Sequence, residues 1–254
     1  MKKHRGALLS TAFNLSEHIP AARWCLALAV IAFAAAVSVC RYIDLADTAA
    51  FSSFETLFMI MTDPINIVFI YLPAYLFTVC GIMFSSGFGG IEILRCGSRS
   101  AWLAGKFVTY AVNTVIFFAA VFLINYTVCS RTFFFSNVWS SGFVGFRVML
   151  GNPSSDFAAS PVPTLIGASA SVLLFYLFCG ILNMLASVLF NRESAALFIS
   201  LLAGIAIGAA NSLVYSNDLE SQIFRCVILA AASLLAYSIC LAAIGKKDLT
   251  RRSG

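Results

Sequence analysis

The side chains able to do acid–base or nucleophilic chemistry are few, and their spacing argues against most of it. The only histidines, His4 and His18, lie near the start of the chain. A Ser–His pair deep in the apolar part of the chain is therefore not available. No His-Glu-x-x-His run occurs, and no aspartates are paired across apolar stretches. Gly105-Lys106 is followed by Phe107, and Ser100 stands where a phosphate-binding loop needs its first glycine. The eight cysteines (25, 40, 80, 96, 129, 179, 226 and 240) show no Cys-x-x-Cys spacing. They read as small apolar residues rather than metal ligands, although a disulfide among Cys40, Cys129 and Cys226 stays open. No catalytic residue, metal or cofactor is expected, and the chain is not read as an enzyme.

One segment does carry a chemical pattern. In residues 85–105 a glycine-rich stretch leads to Glu92, Arg95, Ser98 and Arg99, with Trp102 and Lys106 following. On a helix, Glu92, Arg95 and Arg99 would share one charged face, while Ile91, Leu94 and Trp102 would press on a bilayer or a partner. Such a helix suits docking to another protein. A loop whose positive charge only fixes orientation fits equally well.

The elements that must hold this loop follow from composition. The 254 residues are 61% hydrophobic and only 11% charged, with mean hydropathy +0.93. A soluble domain carries roughly 25% charged residues. Bilayer thickness demands about 20 mostly apolar residues per helical span, and the intervals between charges hold six such stretches. The spans are placed at 23–41, 64–84, 106–127, 165–190, 195–215 and 225–245. A closed barrel would need alternating polarity, which these runs lack. The expected fold is an all-α membrane protein: one transmembrane domain over 1–254 with six transmembrane helices. Val39 stands where a lipoprotein cleavage box needs a small residue, and five more stretches follow, so the first is read as a retained span.

Cytoplasmic loops retain Lys and Arg. With the N-terminus inside, twelve of the sixteen basic residues fall on inner segments, and only Arg41, Arg131, Arg147 and Arg225 fall outside. Both termini are therefore expected on the cytoplasmic side. The net charge of +5 reads as a topology signal, with no nucleic acid among the partners.

Leu8, Ala12, Leu15 and Ile19 recur at helical spacing before Pro20, so 1–22 reads as an interfacial amphipathic segment. Phe51, Phe54, Leu57 and Phe58 predict a turn or two of interfacial helix within an outer loop over 42–63. A second, Phe-rich outer loop over 128–163 is expected to lie on the bilayer. Pro73, in the middle of the second span, is a candidate hinge. Gly204 and Gly208 form a Gly-x-x-x-Gly that allows close helix approach, within the chain or between copies. Tyr71, Tyr75, Asn113, Asn183 and Asn211 are polar groups inside spans, suited to lining a path or to ordinary interhelical hydrogen bonds. The spans otherwise lack ionisable groups, which argues against an ion-coupled carrier.

The loop 85–105 resembles the inner loop of ABC-2-type permeases, the six-span membrane subunits of ATP-binding-cassette exporters. The matching features are Glu92, Arg95, the Ser98-Arg99 pair and Gly105-Lys106. The flavour is closest to small permeases of bacteriocin- and antibiotic-resistance-type exporters. The turn Phe190-Asn191-Arg192-Glu193-Ser194, the tail Lys246-Lys247-Asp248-Leu249 and the leading amphipathic segment agree. The family's longer acidic stretch, with Gly-Thr-Leu-Glu, is absent. The resemblance implies a permease in a bacterial plasma membrane, carrying an apolar or amphipathic cargo such as a peptide, lipid or drug. A separate ATP-binding-cassette ATPase subunit would hydrolyse the ATP, and loop 85–105 would be the coupling loop in its cleft. A second permease copy or a related permease would complete the assembly. The residues also allow a non-transporting membrane protein (immunity, sensor or assembly factor) or an ATP-independent carrier.

Overall fold

Pro64 divides the second apolar segment. The residue before a proline is driven out of the α region, and Asp63 is extended there (φ −70°, ψ 119°). Its carboxylate accepts from the Ile65 N–H at 3.0 Å and so caps the helix that restarts. The computed structural model of the chain describes residues 21–46, 51–83, 98–149, 157, 159–190, 192–209 and 219–246. In it, helix α1 spans Ala21–Ala46 and α2 spans Ser53–Thr62. A π-helical segment, Ile65–Tyr71, then runs into α3, Leu72–Val79. Next come α4 (Arg99–Thr132), α5 (Ser141–Met149) and α6 (Pro161–Phe190). Helices α7 (Glu193–Ala209) and α8 (Leu219–Lys246) complete the order. No strand occurs among the described residues.

Four helices, α1, α4, α6 and α8, are long and apolar enough to cross a membrane. The pair α2 and Ile65–Val79, bent by 58°, makes a fifth if it is counted as one crossing. Helix α7 is apolar but shorter. Large apolar side chains stay exposed along α1 and α8, among them Leu26, Phe33, Val37, Phe224, Val227, Leu234 and Leu235. Apolar surface of that extent marks contact with a nonaqueous neighbour. Helix α6 is central, packing on α8, α7, α4 and α2.

The observed elements differ from the expected ones in three places. The expected interfacial turns near Phe51–Phe58 are instead a full helix, α2, with Leu57, Phe58 and Ile60 wholly buried. Ser52 caps that helix with a complete capping box, accepting from the Glu55 N–H at 3.3 Å while Glu55 accepts from the Ser52 N–H at 2.6 Å. The third span begins at Arg99, so the last part of the expected loop 85–105 is helical; Ser98 caps it by accepting from the Ala101 N–H at 3.2 Å. Within the expected Phe-rich outer loop 128–163, the described residues include helix, because α4 continues to Thr132 and α5 follows. The amphipathic segment before residue 21, Glu92 and Arg95, and the residues after 246 lie outside the described residues.

Pro73 sits in the first turn of α3, immediately after the π segment. It has no N–H to give, and in a first turn none is required. Just before it, the Leu72 N–H reaches back five residues to the Ile67 carbonyl. The Ile67 oxygen also accepts from Tyr176 Oη at 3.3 Å, so α6 supports the irregular turn. The sharp bend falls at Asp63-Pro64, ten residues before Pro73.

Candidate functional site: anchored loop ends, a polar seam and a charged rim

Both described ends of the stretch that joins α3 to α4 are tied to other helices. At the α3 end, Arg23 of α1 donates from Nη1 to the Cys80 carbonyl at 2.5 Å and lies 5.5 Å from the Phe77 ring centroid. Gly81 follows with φ +92°, a conformation costly to any residue with a Cβ. A Cβ there would lie 3.7 Å from both Arg23 Nη1 and Glu193 Oε2. At the α4 end, Arg99 Nη1 donates to the Ile244 carbonyl of α8 at 3.3 Å. Lys106 is 0% exposed, with Nζ 5.8 Å from the Trp102 ring centroid. That places the ammonium over an aromatic face inside the helix bundle, rather than at the water boundary where a lysine opening a span is expected. Of the loop residues named from sequence, Ser98, Arg99 and Lys106 thus fall on one helix start, and Glu92 and Arg95 lie outside the described residues.

A seam of hydroxyl and amide groups runs through the interior above them. Tyr110 Oη donates to Asn183 Oδ1 at 2.9 Å, and Tyr75 Oη meets Thr114 Oγ1 at 2.7 Å. Tyr71 Oη and the Asn125 amide lie 3.1–3.2 Å apart. One rung joins α4 to α6 and two join it to the continuous Ile65–Val79 segment, and the tyrosine rings pack between them. Tyr75 stacks on Tyr176 at 5.6 Å, and Phe117 meets both. Buried polar groups must be hydrogen-bonded to be tolerated, and here the requirement is met across helices. Tyr71, Tyr75 and Asn183 therefore act as packing ties. Asn113 donates to the Thr109 carbonyl of its own helix at 2.9 Å, and Asn211 lies outside the described residues. Their partners Tyr110, Thr114 and Asn125 escaped sequence reasoning, since a lone hydroxyl or amide in a span carries no mark of its partner.

The Gly-x-x-x-Gly packs within the chain. A Cβ on Gly204 would lie 2.5 Å from Leu72 Cδ2, and one on Gly208 would lie 2.4 Å from Val68 Cγ2. The second apolar segment therefore lies flush against α7. Gly180 plays the same part on α6, where a Cβ would lie 2.3 Å from Tyr75 Oη.

At the other end of the bundle, Glu55 is fully buried. Besides the Ser52 N–H, it accepts from the Ser140 N–H and, at 3.2 Å, from Ser140 Oγ. The Ser53 N–H donates to the Phe134 carbonyl at 2.8 Å. One carboxylate thus clasps α2 to the stretch that leads into α5. Aromatic packing closes over it: Trp139 stacks on Phe143 at 5.0 Å and meets Phe58 edge-on at 5.6 Å. From sequence Glu55 falls in the expected outer loop 42–63; burial of a charge needs partners, and Ser140, which supplies two of them, is 85 residues away. Beside this clasp, Arg41, Tyr42, Thr62, Asp63 and Arg147 line a rim cavity of about 180 Å³. Among the described residues the seven cysteines are free thiols, Cys40, Cys129 and Cys226 included.

These features define the class as a helical membrane-type protein in which several buried polar groups join helices. The chain belongs to the family described as "Protein of unknown function (DUF2705)", whose model matches residues 24–249. No curated protein and no solved structure matches it.

Proposed function

We propose that the chain is the membrane-spanning permease subunit of an ABC-type exporter, carrying an apolar or amphipathic cargo under the power of a separate ATPase subunit. The observation that carries the reading is the anchoring of the two loop ends. Arg23 grips the exit of α3 at the Cys80 carbonyl, and Arg99 ties the start of α4 to α8 at the Ile244 carbonyl. A force applied to the intervening loop would therefore reach α1 on one side and α8 on the other, which a coupling loop requires. The loop pattern Glu92, Arg95, Ser98-Arg99, Gly105-Lys106 and the twelve-to-four bias of basic residues support the same reading. In it, α1, the bent pair, α4, α6, α7 and α8 make six crossings, with both termini in the cytoplasm of a bacterial cell. A second permease copy or a relative completes the path.

The test is affinity purification of the tagged full-length chain from its native membrane. An ATPase subunit is expected to copurify, and Arg95→Glu with Arg99→Glu should lower its recovery about tenfold, the scale of losing one or two charge-assisted contacts. Undiminished recovery from the doubly reversed chain would remove the coupling assignment.

A further inference from the structure

Two cavities meet where α1 passes the break at Asp63-Pro64. The rim cavity holds Arg41, Asp63 and Arg147. A second cavity, of about 360 Å³, runs down α1 along Val37, Phe33 and Val30, with Ile65 and Ile70 facing them. Arg41, Asp63 and Ile65 line both, so the two form one cleft with a charged mouth and an apolar trough. The volume lies within the roughly 300–1,000 Å³ of ordinary ligand sites.

We infer that this cleft binds one phospholipid with an anionic headgroup, its phosphate held by Arg41 and Arg147 and one acyl chain laid along α1. Three observations point to that occupant. First, the trough runs the eleven residues from Arg41 to Val30, about 16 Å at helical rise, which is half of a ~30 Å hydrocarbon layer. It is as deep as one leaflet. Second, the mouth brings two guanidinium groups together with one carboxylate, and the planar guanidinium fork suits phosphate oxygens. Third, the polar groups in the trough wall are satisfied by each other: Asn66 Nδ2 donates to Ser38 Oγ at 3.0 Å, and both residues are buried. These two polar side chains are thus engaged with one another, and the rest of the wall below Arg41 and Asp63 is apolar. The trough also faces outward, since Phe33 is 73% and Val37 52% exposed, so a lipid reaches it sideways from the bilayer. The inference rests on embedding in a bilayer and does not depend on the export reading.

The experiment uses the full-length chain reconstituted in phosphatidylcholine vesicles with or without phosphatidylglycerol, then extracted in detergent for native mass spectrometry. Phosphatidylglycerol should be retained in preference to phosphatidylcholine, as a single bound molecule. Arg41→Gln should lower its retention about tenfold and lower that of zwitterionic phosphatidylcholine less, narrowing the preference. Val37→Trp, which fills the trough from an exposed position, should lower retention of both lipids. Should Arg41→Gln not fold, Arg147→Gln gives the same readout. Equal retention of the two lipids, unchanged in these variants, would mean annular lipid only and overturn the site. Displacement of the lipid by inorganic phosphate would reduce it to an anion site without a chain pocket, which overturns it equally.

Discussion

The contact between Gly180 and Tyr75 offers a sharp test of how the interior is packed. A methyl group at 180 would lie 2.3 Å from Tyr75 Oη, 3.3 Å from Tyr110 Cδ1 and 3.4 Å from Tyr75 Cζ. The first contact is impossible, and the other two need only a few tenths of an ångström. Tyr75 has little freedom to retreat, because it is fully buried, bonded to Thr114 and stacked on Tyr176. Gly180→Ala should therefore cost about 1–3 kcal/mol, the usual range for overpacking. Tyr75→Phe alone should cost about 0.6–1 kcal/mol, as measured for hydrogen bonds between membrane helices. Thr114 keeps a partner in that variant, since its hydroxyl also donates to the Tyr110 carbonyl at 2.8 Å. In the double variant the clashing atom is gone, so the pair should be no less stable than Tyr75→Phe within about 0.5 kcal/mol. The assay is unfolding of the purified chain in mixed micelles by titration with denaturing detergent, followed by circular dichroism. Additive losses would refute the reasoning, because they would mean that the methyl group meets something other than the phenol oxygen.

Two further outcomes follow from the same packing. Glu55→Ala should destabilise the chain by about 2–4 kcal/mol, combining a lost cap with buried Ser52 and Ser140 N–H groups left without their acceptor; limited proteolysis should then cut between residues 133 and 149 faster than in the wild type. Gly208→Leu should lower the unfolding midpoint in the same micelle assay, because its side chain would run into Val68; a changed oligomeric state in chemical crosslinking with stability intact would instead place the glycine pair between copies.

How much of this was legible from residue order depends on what each charge is doing. Along α1, Arg23 and Arg41 bound an uncharged run, and the helix found there extends past both, from Ala21 to Ala46. Long gaps between charges likewise located α4, α6 and α8, because hydrocarbon tolerates no exposed backbone and imposes a length. The same rule misread two places. Lys106 opens the expected span 106–127, yet α4 begins seven residues earlier, at Arg99. Glu55 falls in the stretch 42–63, read as an outer loop with a turn or two of interfacial helix, where the structure has the buried helix α2.

Both misreadings have one cause. A charge marks a water boundary only when nothing in the protein compensates it. Lys106 has the Trp102 face one helical turn away, a partner that local spacing could have offered. Glu55 depends on Ser140, a contact that exists only after the stretch leading into α5 folds back over α2. Sequence separation therefore sets the limit: compensation within a turn of helix is readable, and compensation 85 residues away is not. By the same reasoning, the Arg41–Asp63–Arg147 mouth was invisible as a unit, since its members come from α1, the Pro64 break and α5. From sequence Arg41 and Asp63 are charges at span ends and Arg147 lies within the expected loop 128–163, and only the fold sets them around one cleft.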